Sequence, residues 1–157
     1  MFGGQLSYAA DTYGVSVTYA NVEDATKSYA SSTAKEEYLN ESTSWGLNAY
    51  WTPDSTGSMP SISVGYETGD VEGSDTTDTT QWFVGLQWDE IGPGTFGVAA
   101  GSKGATVENT DELMAYEAFY SYPVNDGLTL TPAVFIMENA TGTDDETGIV
   151  VKTSFSF

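Results

Sequence analysis

Two stretches of this chain carry tryptophan at both ends: Trp45–Trp51 in WGLNAYW and Trp82–Trp88 in WFVGLQW. Tyr13–Tyr19 in YGVSVTY and Tyr116–Tyr122 in YEAFYSY repeat the same six-residue spacing. In a β-strand an even spacing puts both rings on one face, because side chains alternate. In a helix a separation of six would turn them to nearly opposite sides. The spacing therefore predicts strands, each with a large aromatic near either end of one face.

Nine segments alternate apolar and polar residues, near 2–10, 13–22, 43–52, 61–68, 80–90, 95–103, 113–123, 127–138 and 148–157. Their connections alternate in kind. DT, TPDSTGSMP, EIGPG and VNDG are rich in turn formers. The others, near 22–43, 69–79, 104–112 and 139–147, are longer and hold 15 of the 23 acids. TAKEEYLNE, in the first of these loops, is expected to form a short helix. The pattern predicts an all-β, antiparallel up-and-down meander of about nine strands in a single domain covering 1–157, one end compact and the other loopy and negative.

On the face bearing the paired aromatics, the residues between them are small and aliphatic: Val15 and Val17, Leu47 and Ala49, Val84 and Leu86. No charged residue falls on it. The opposite face carries Asn48, Glu67, Gln87, Lys103, Glu117 and Lys152, together with Phe83 and Phe119. An alternating strand fits a soluble β-sandwich, whose acidic loops would bind a ligand or cations. It also fits a transmembrane β-barrel, with the apolar face toward lipid and the polar face toward a lumen. The order of residues favours the barrel. Tryptophan and tyrosine prefer the headgroup level on both sides of the hydrocarbon, so Tyr13, Tyr19, Trp45, Trp51, Trp82, Trp88, Tyr116, Tyr122 and Phe157 are candidate interface aromatics. The polar-face residues Asn48, Glu67, Gln87, Lys103, Glu117 and Lys152 are candidate pore-lining groups. Six residues span about 20 Å along a strand, less than the roughly 25 Å apolar band of such barrels. Pro132 falls inside a strand, where a missing ladder donor predicts a bulge.

The chain ends GIVVKTSFSF, alternating up to Phe157. This resembles the C-terminal signal by which outer-membrane proteins of Gram-negative bacteria are recognised for barrel assembly. LTLTPAVFIMENATGTDDETGIVVKTSFSF, from Leu128 to Phe157, resembles the end of cyanobacterial outer-membrane porins, which are similar to the carbohydrate-selective porin family; TPAVFIMEN and GIVVKTSF are its most specific parts. The resemblance implies a 16-stranded barrel in the bacterial outer membrane. It also implies passive diffusion of small hydrophilic solutes such as sugars and inorganic ions. Single-chain bacterial barrels use even strand numbers. Nine strands counted back from the last therefore suggest strands eight to sixteen, the C-terminal half. No signal peptide is visible ahead of FGGQLSYAA, which fits that expectation. The expected partners are the lipid bilayer, the barrel-assembly machinery through Phe157, permeating solutes, and either an N-terminal half or further copies of the chain.

Composition excludes much else. With no histidine, no cysteine, four lysines and 23 acids, the net charge is −19. A nucleic-acid-binding face would be basic. No histidine- or cysteine-based catalytic pair can form, and Asp144–Asp145 and Glu36–Glu37 lie in polar loops, so the chain is read as no enzyme and as needing no cofactor. GSDTTDTT and GTDDETG lack the ligand spacing of a calcium loop, and no metal site is assigned.

Overall fold

The computed structural model describes residues 1–29, 37–54, 59–71, 78–107, 110–139 and 143–156. Among these there is no helix. The strands are β1 (Phe2–Ala9), β2 (Tyr13–Tyr29), β3 (Glu37–Trp51), β4 (Ser61–Val71), β5 (Asp78–Ile91), β6 (Gly94–Ser102), β7 (Thr106–Val107), β8 (Met114–Asn125), β9 (Leu128–Met137) and β10 (Glu146–Phe155). Nine of them form one antiparallel meander in the order β1-β2-β3-β4-β5-β6-β8-β9-β10. The short β7 lies off that path and pairs with the start of β5 through Thr79↔Val107 and Thr80↔Thr106.

The predicted segments match these strands, but several strands run further into the long loops. The β2–β3 hairpin continues beyond an irregularity between Val22 and Thr26 and pairs as far as Tyr29↔Glu37. The helix expected over TAKEEYLNE is therefore wrong for residues 37–41, which are strand; the rest of that stretch lies outside the described residues. Once two strands are in register, each added ladder pair satisfies backbone groups that a short isolated helix would leave to water.

Pro132 makes no bulge. Phe119↔Ala133 and Tyr122↔Leu130 keep one register on the β8 side, and Val151↔Pro132 is an ordinary pair on the β10 side. The ladder to β8 lapses only across Tyr120 and Ser121, where Thr131 Oγ1 donates to Ser121 Oγ at 3.2 Å. Of the register shifts on the path, those at Trp88/Ile91 and Pro123/Asn125 sit toward strand ends, and that at Val22/Thr26 lies within β2. At the β5–β6 turn Glu90 and Gly92 take positive φ, 59° and 64°. A tight hairpin needs positive φ, and glycine supplies it without steric cost.

The sheet is a single layer. Among the described residues no hydrophobic side chain is buried. The five buried residues among those described are Gly14, Gly65, Gly94, Gly97 and Gly101. A sandwich would enclose the inner faces of two sheets, and no second sheet is present among the described residues. Among the described residues neither β1 nor β10 has a neighbour on its outer edge, and the two strands run in the same direction along the meander.

Candidate functional site

Cross-strand partners share a face, so the ladders show how each face is composed. One face is mainly apolar. The row Tyr13, Trp51, Ile62, Leu86, Val98, Ala118, Val134, Ile149 crosses eight strands without a polar side chain. Leu47 is 53% exposed and Val134 50%, although nothing polar surrounds them on this face.

The aromatic pairs fall into a regular offset. The row from Trp51 passes through Ile62 to Leu86, so Trp88 lies two residues nearer the short-turn end. From Trp88 the row passes through Phe96 to Tyr120, and Tyr122 is again two residues on. From Tyr122 it passes through Leu130 to Thr153, and Phe155 is two residues on once more. In the other direction Tyr8 faces Val15, two residues from Tyr13 toward the loop end. The partners six residues earlier, Phe2, Trp45, Trp82, Tyr116 and Ile149, make a second and parallel series. Along β1, β3, β5, β8 and β10 both series therefore move two residues for every two strands crossed. With a rise of about 3.3 Å per residue and strands about 4.8 Å apart, that offset is an angle of about 35° between the strands and the normal to the belts. Phe2 and Tyr8 have the same spacing as the other pairs but were missed in the sequence, where the first segment shows no other aromatic-face signature. Phe155 holds the last place in the series; Phe157 lies outside the described residues.

Ring contacts gather in the two series. Phe2–Tyr19 and Tyr19–Trp45 have centroids 6.2 and 4.6 Å apart near the loop end. Tyr8–Tyr13, Trp88–Phe96 and Tyr120–Tyr122 are 6.0, 5.9 and 6.5 Å apart near the turn end. Polar ring atoms find partners outward from the sheet centre. Trp82 Nε1 donates to Glu112 Oε1 at 2.7 Å, and Tyr120 Oη donates to the Ile91 carbonyl at 2.7 Å. An amphipathic ring with its polar atom held outward suits a boundary between an apolar and a wet phase.

The opposite face collects the polar residues. Asn48 lies midway between Trp45 and Trp51, and Lys152 midway between Ile149 and Phe155. Glu117 faces Ala99 and Phe135. Glu67 faces Gly46 and Gln81, nearer the loop end, and accepts from Gln81 Nε2 at 3.0 Å. Gln87 lies near the turn end, with Nε2 donating to Asp89 Oδ1 at 3.1 Å. Lys103 stands apart from the other candidates. It follows β6 beyond the aromatic series, and its Nζ donates to the Glu138 carbonyl at 3.1 Å and to Asn139 Oδ1 at 2.6 Å. Asn139 Nδ2 in turn donates to the Asp144 carbonyl at 2.7 Å, so Lys103 fastens the β9–β10 loop to the rim.

Phe83 and Phe119 fall on the polar face because each ring covers a glycine of the neighbouring strand. A Cβ on Gly65 would lie 2.2 Å from Phe83 Cε1, and one on Gly97 2.3 Å from Phe119 Cε1. Tyr50 covers Gly14 and Phe135 covers Gly148 in the same way, at 2.4 and 2.2 Å. The signal was present in the sequence as glycine on one strand and an aromatic on the next, but only the register pairs them. Hollows of about 250, 400 and 390 Å³ lie mainly on this face, beside Asn48 and Glu67, beside Glu117, and beside Ser16 and Tyr50. No cluster of three or more metal-ligating side chains occurs among the described residues.

Comparison with protein-family models, with curated proteins and with solved structures finds no match, so function is read from the two faces themselves.

Proposed function

We propose that this chain forms part of an outer-membrane porin: its aromatic face meets lipid, and its polar face lines a passive path for small hydrophilic solutes. The observation that carries this reading is the pair of parallel series, aromatic at every place except Ile149. An angle of about 35° lies at the strand tilt of closed membrane barrels, about 35–45°. Two aromatic belts with aliphatic residues between them suit the two interfaces of a bilayer. A continuous apolar face without a second layer needs an apolar medium, and lipid supplies one. A soluble β-sandwich would need a second layer to give an inner face, so the single layer favours the porin reading.

Both open edges belong to strands running the same way. Antiparallel closure then needs an odd number of further strands, and seven would bring the nine of this sheet to sixteen. A second copy in the same orientation would set β1 beside β10 in parallel and break the meander. The C-terminal strand, with Phe155 in the turn-side belt, suits recognition by the barrel-assembly machinery through Phe157.

Polarised infrared spectroscopy of the chain refolded in oriented bilayers tests the reading. The expected result is sheet absorption with strands tilted about 35–45° from the membrane normal. A folded sheet that stays in the aqueous phase after detergent removal, or strands lying flat on the bilayer, would overturn it.

A further inference from the structure

On the polar face, the hollow of about 250 Å³ is bordered by side chains that converge. It lies across three adjacent strands, β3, β4 and β5, and two ladder rows define it. Gly46, Glu67 and Gln81 form one row, and Asn48, Gly65 and Phe83 form the row beside it. The two glycines leave a floor without side chains. Over Gly65 the neighbours close in from both sides: a Cβ there would lie 2.2 Å from Phe83 Cε1 and 2.7 Å from Asn48 Oδ1. The ring and the amide oxygen are therefore direct neighbours. Glu67 stands two residues along β4 from Gly65, on the same face. Its Oε2 accepts from Gln81 Nε2 at 3.0 Å, which holds the carboxylate at one end of the hollow. No lysine lines the hollow.

The polar groups here offer mainly oxygens: the Glu67 carboxylate, Asn48 Oδ1 beside the ring, and the Gln81 carbonyl, with an N–H of Gln81 already committed to Glu67. A sugar hydroxyl brings acceptor lone pairs as well as a donor, and would need donors in return. A bare metal ion would want more oxygens and no aromatic wall. Guanidinium brings only N–H donors and no acceptor. Its fork matches a carboxylate, its plane stacks on aromatic rings, and it is weakly hydrated. We propose that Glu67, Asn48 and Phe83 form a binding subsite for guanidinium compounds, with Gln81 as the positioning residue for the Glu67 carboxylate. The ion lies flat on the Phe83 ring, which is 46% exposed. One edge of it donates to Glu67 and another to Asn48 Oδ1. This goes beyond a non-selective path for hydrophilic solutes. It holds for the refolded chain whether or not a channel is complete, since every group belongs to β3, β4 or β5.

The test is titration of the micelle-refolded chain with methylguanidinium at constant ionic strength, followed by the side-chain amide resonances of Asn48 and Gln81. Saturable shifts are expected, with methylammonium weaker and neutral methylurea inert over the same range. Glu67→Gln should weaken binding about fivefold or more, the value of one charge pair near 4 Å in a watery setting. Phe83→Leu should weaken it about twofold to fivefold. Gly46→Leu should abolish it with carboxylate and ring intact, by filling the floor; the nearest atom to a Cβ at Gly46 is 3.8 Å away, so the new side chain has room. Absence of a saturable shift, equal binding of methylurea or methylammonium, or undiminished binding in the folded Glu67→Gln chain would each overturn the assignment.

Discussion

The ring of Phe83 lies across Gly65 of the adjoining strand so closely that a Cβ there would sit 2.2 Å from its edge. The same relation at Gly101 involves backbone: a Cβ would lie 2.4 Å from the Trp82 carbonyl oxygen and 2.9 Å from Phe83 Cα. Rings can swing aside, but a ladder strand cannot. Gly101→Ala should therefore cost about 1–3 kcal/mol, the usual range for overpacking. Gly65→Ala should cost less, since the ring yields, and Gly46→Ala, whose nearest neighbour is 3.8 Å away, should be neutral or slightly stabilising. Urea unfolding from lipid vesicles ranks the three; a Gly46 variant as damaging as the Gly101 variant would show that close approach is not the cause.

Val84 and Gln87 sit three residues apart on β5 and on opposite faces. Val84→Arg should destabilise the refolded sheet by about 2–4 kcal/mol if its face meets the bilayer core. Val134→Arg, on the same face, should behave alike. Gln87→Arg should be mild. Equal penalties on both faces in the same unfolding assay would count against lipid on one side only.

Lys103 joins the end of β6 to Glu138 and Asn139, while Met114 N–H donates to Glu138 Oε2 at 2.9 Å. Lys103→Met should free the β9–β10 loop at a cost of about 0.5–1.5 kcal/mol per exposed hydrogen bond lost. Amide exchange at Asn139 should quicken, with little change in the middle of β9. Lys152→Met should leave that exchange as it was. Hydrogen exchange read by NMR separates the two variants.

The four long connections as read from the sequence carry fifteen acids against Lys27 and Lys35. They follow alternate strands, so they share one end of the sheet. Such a rim concentrates cations and repels anions over about 8–10 Å at physiological salt. A complete barrel containing this chain should prefer cations weakly at low salt, and the preference should fade as salt rises. Reversal potentials across planar bilayers, before and after neutralising the loop acids, check this; anion selectivity in the unaltered channel would contradict it.

The sequence made the alternation legible and, with it, nine strand positions and the division of residues between two faces. Alternation is a local property, set by the backbone of each strand alone. The relation between strands was not legible in the same way. The two-residue offset from Trp51 to Trp88 to Tyr122 exists only once the ladders are in register. So does the pairing of Phe83 with Gly65, which turns an apparent misfit on the polar face into a packing contact. Glu37 and its neighbours misled for the opposite reason: their composition suits a helix, but a partner strand was already in place. Lys103 had the right parity for the polar face, but parity says nothing of height, and it stands at the rim.

That the only enclosed residues among those described are glycines has an evolutionary consequence. In a protein with a packed interior, the positions least free to change are large side chains shaped to one another. In this sheet the enclosed positions carry no side chain at all. The remaining sites need only belong to the right class, aliphatic or aromatic on one face and polar or small on the other. Sequences of this architecture can drift a long way while keeping strand number, offset and belts. Kinship among them should then be sought in the spacing of rings and glycines rather than in residue identity.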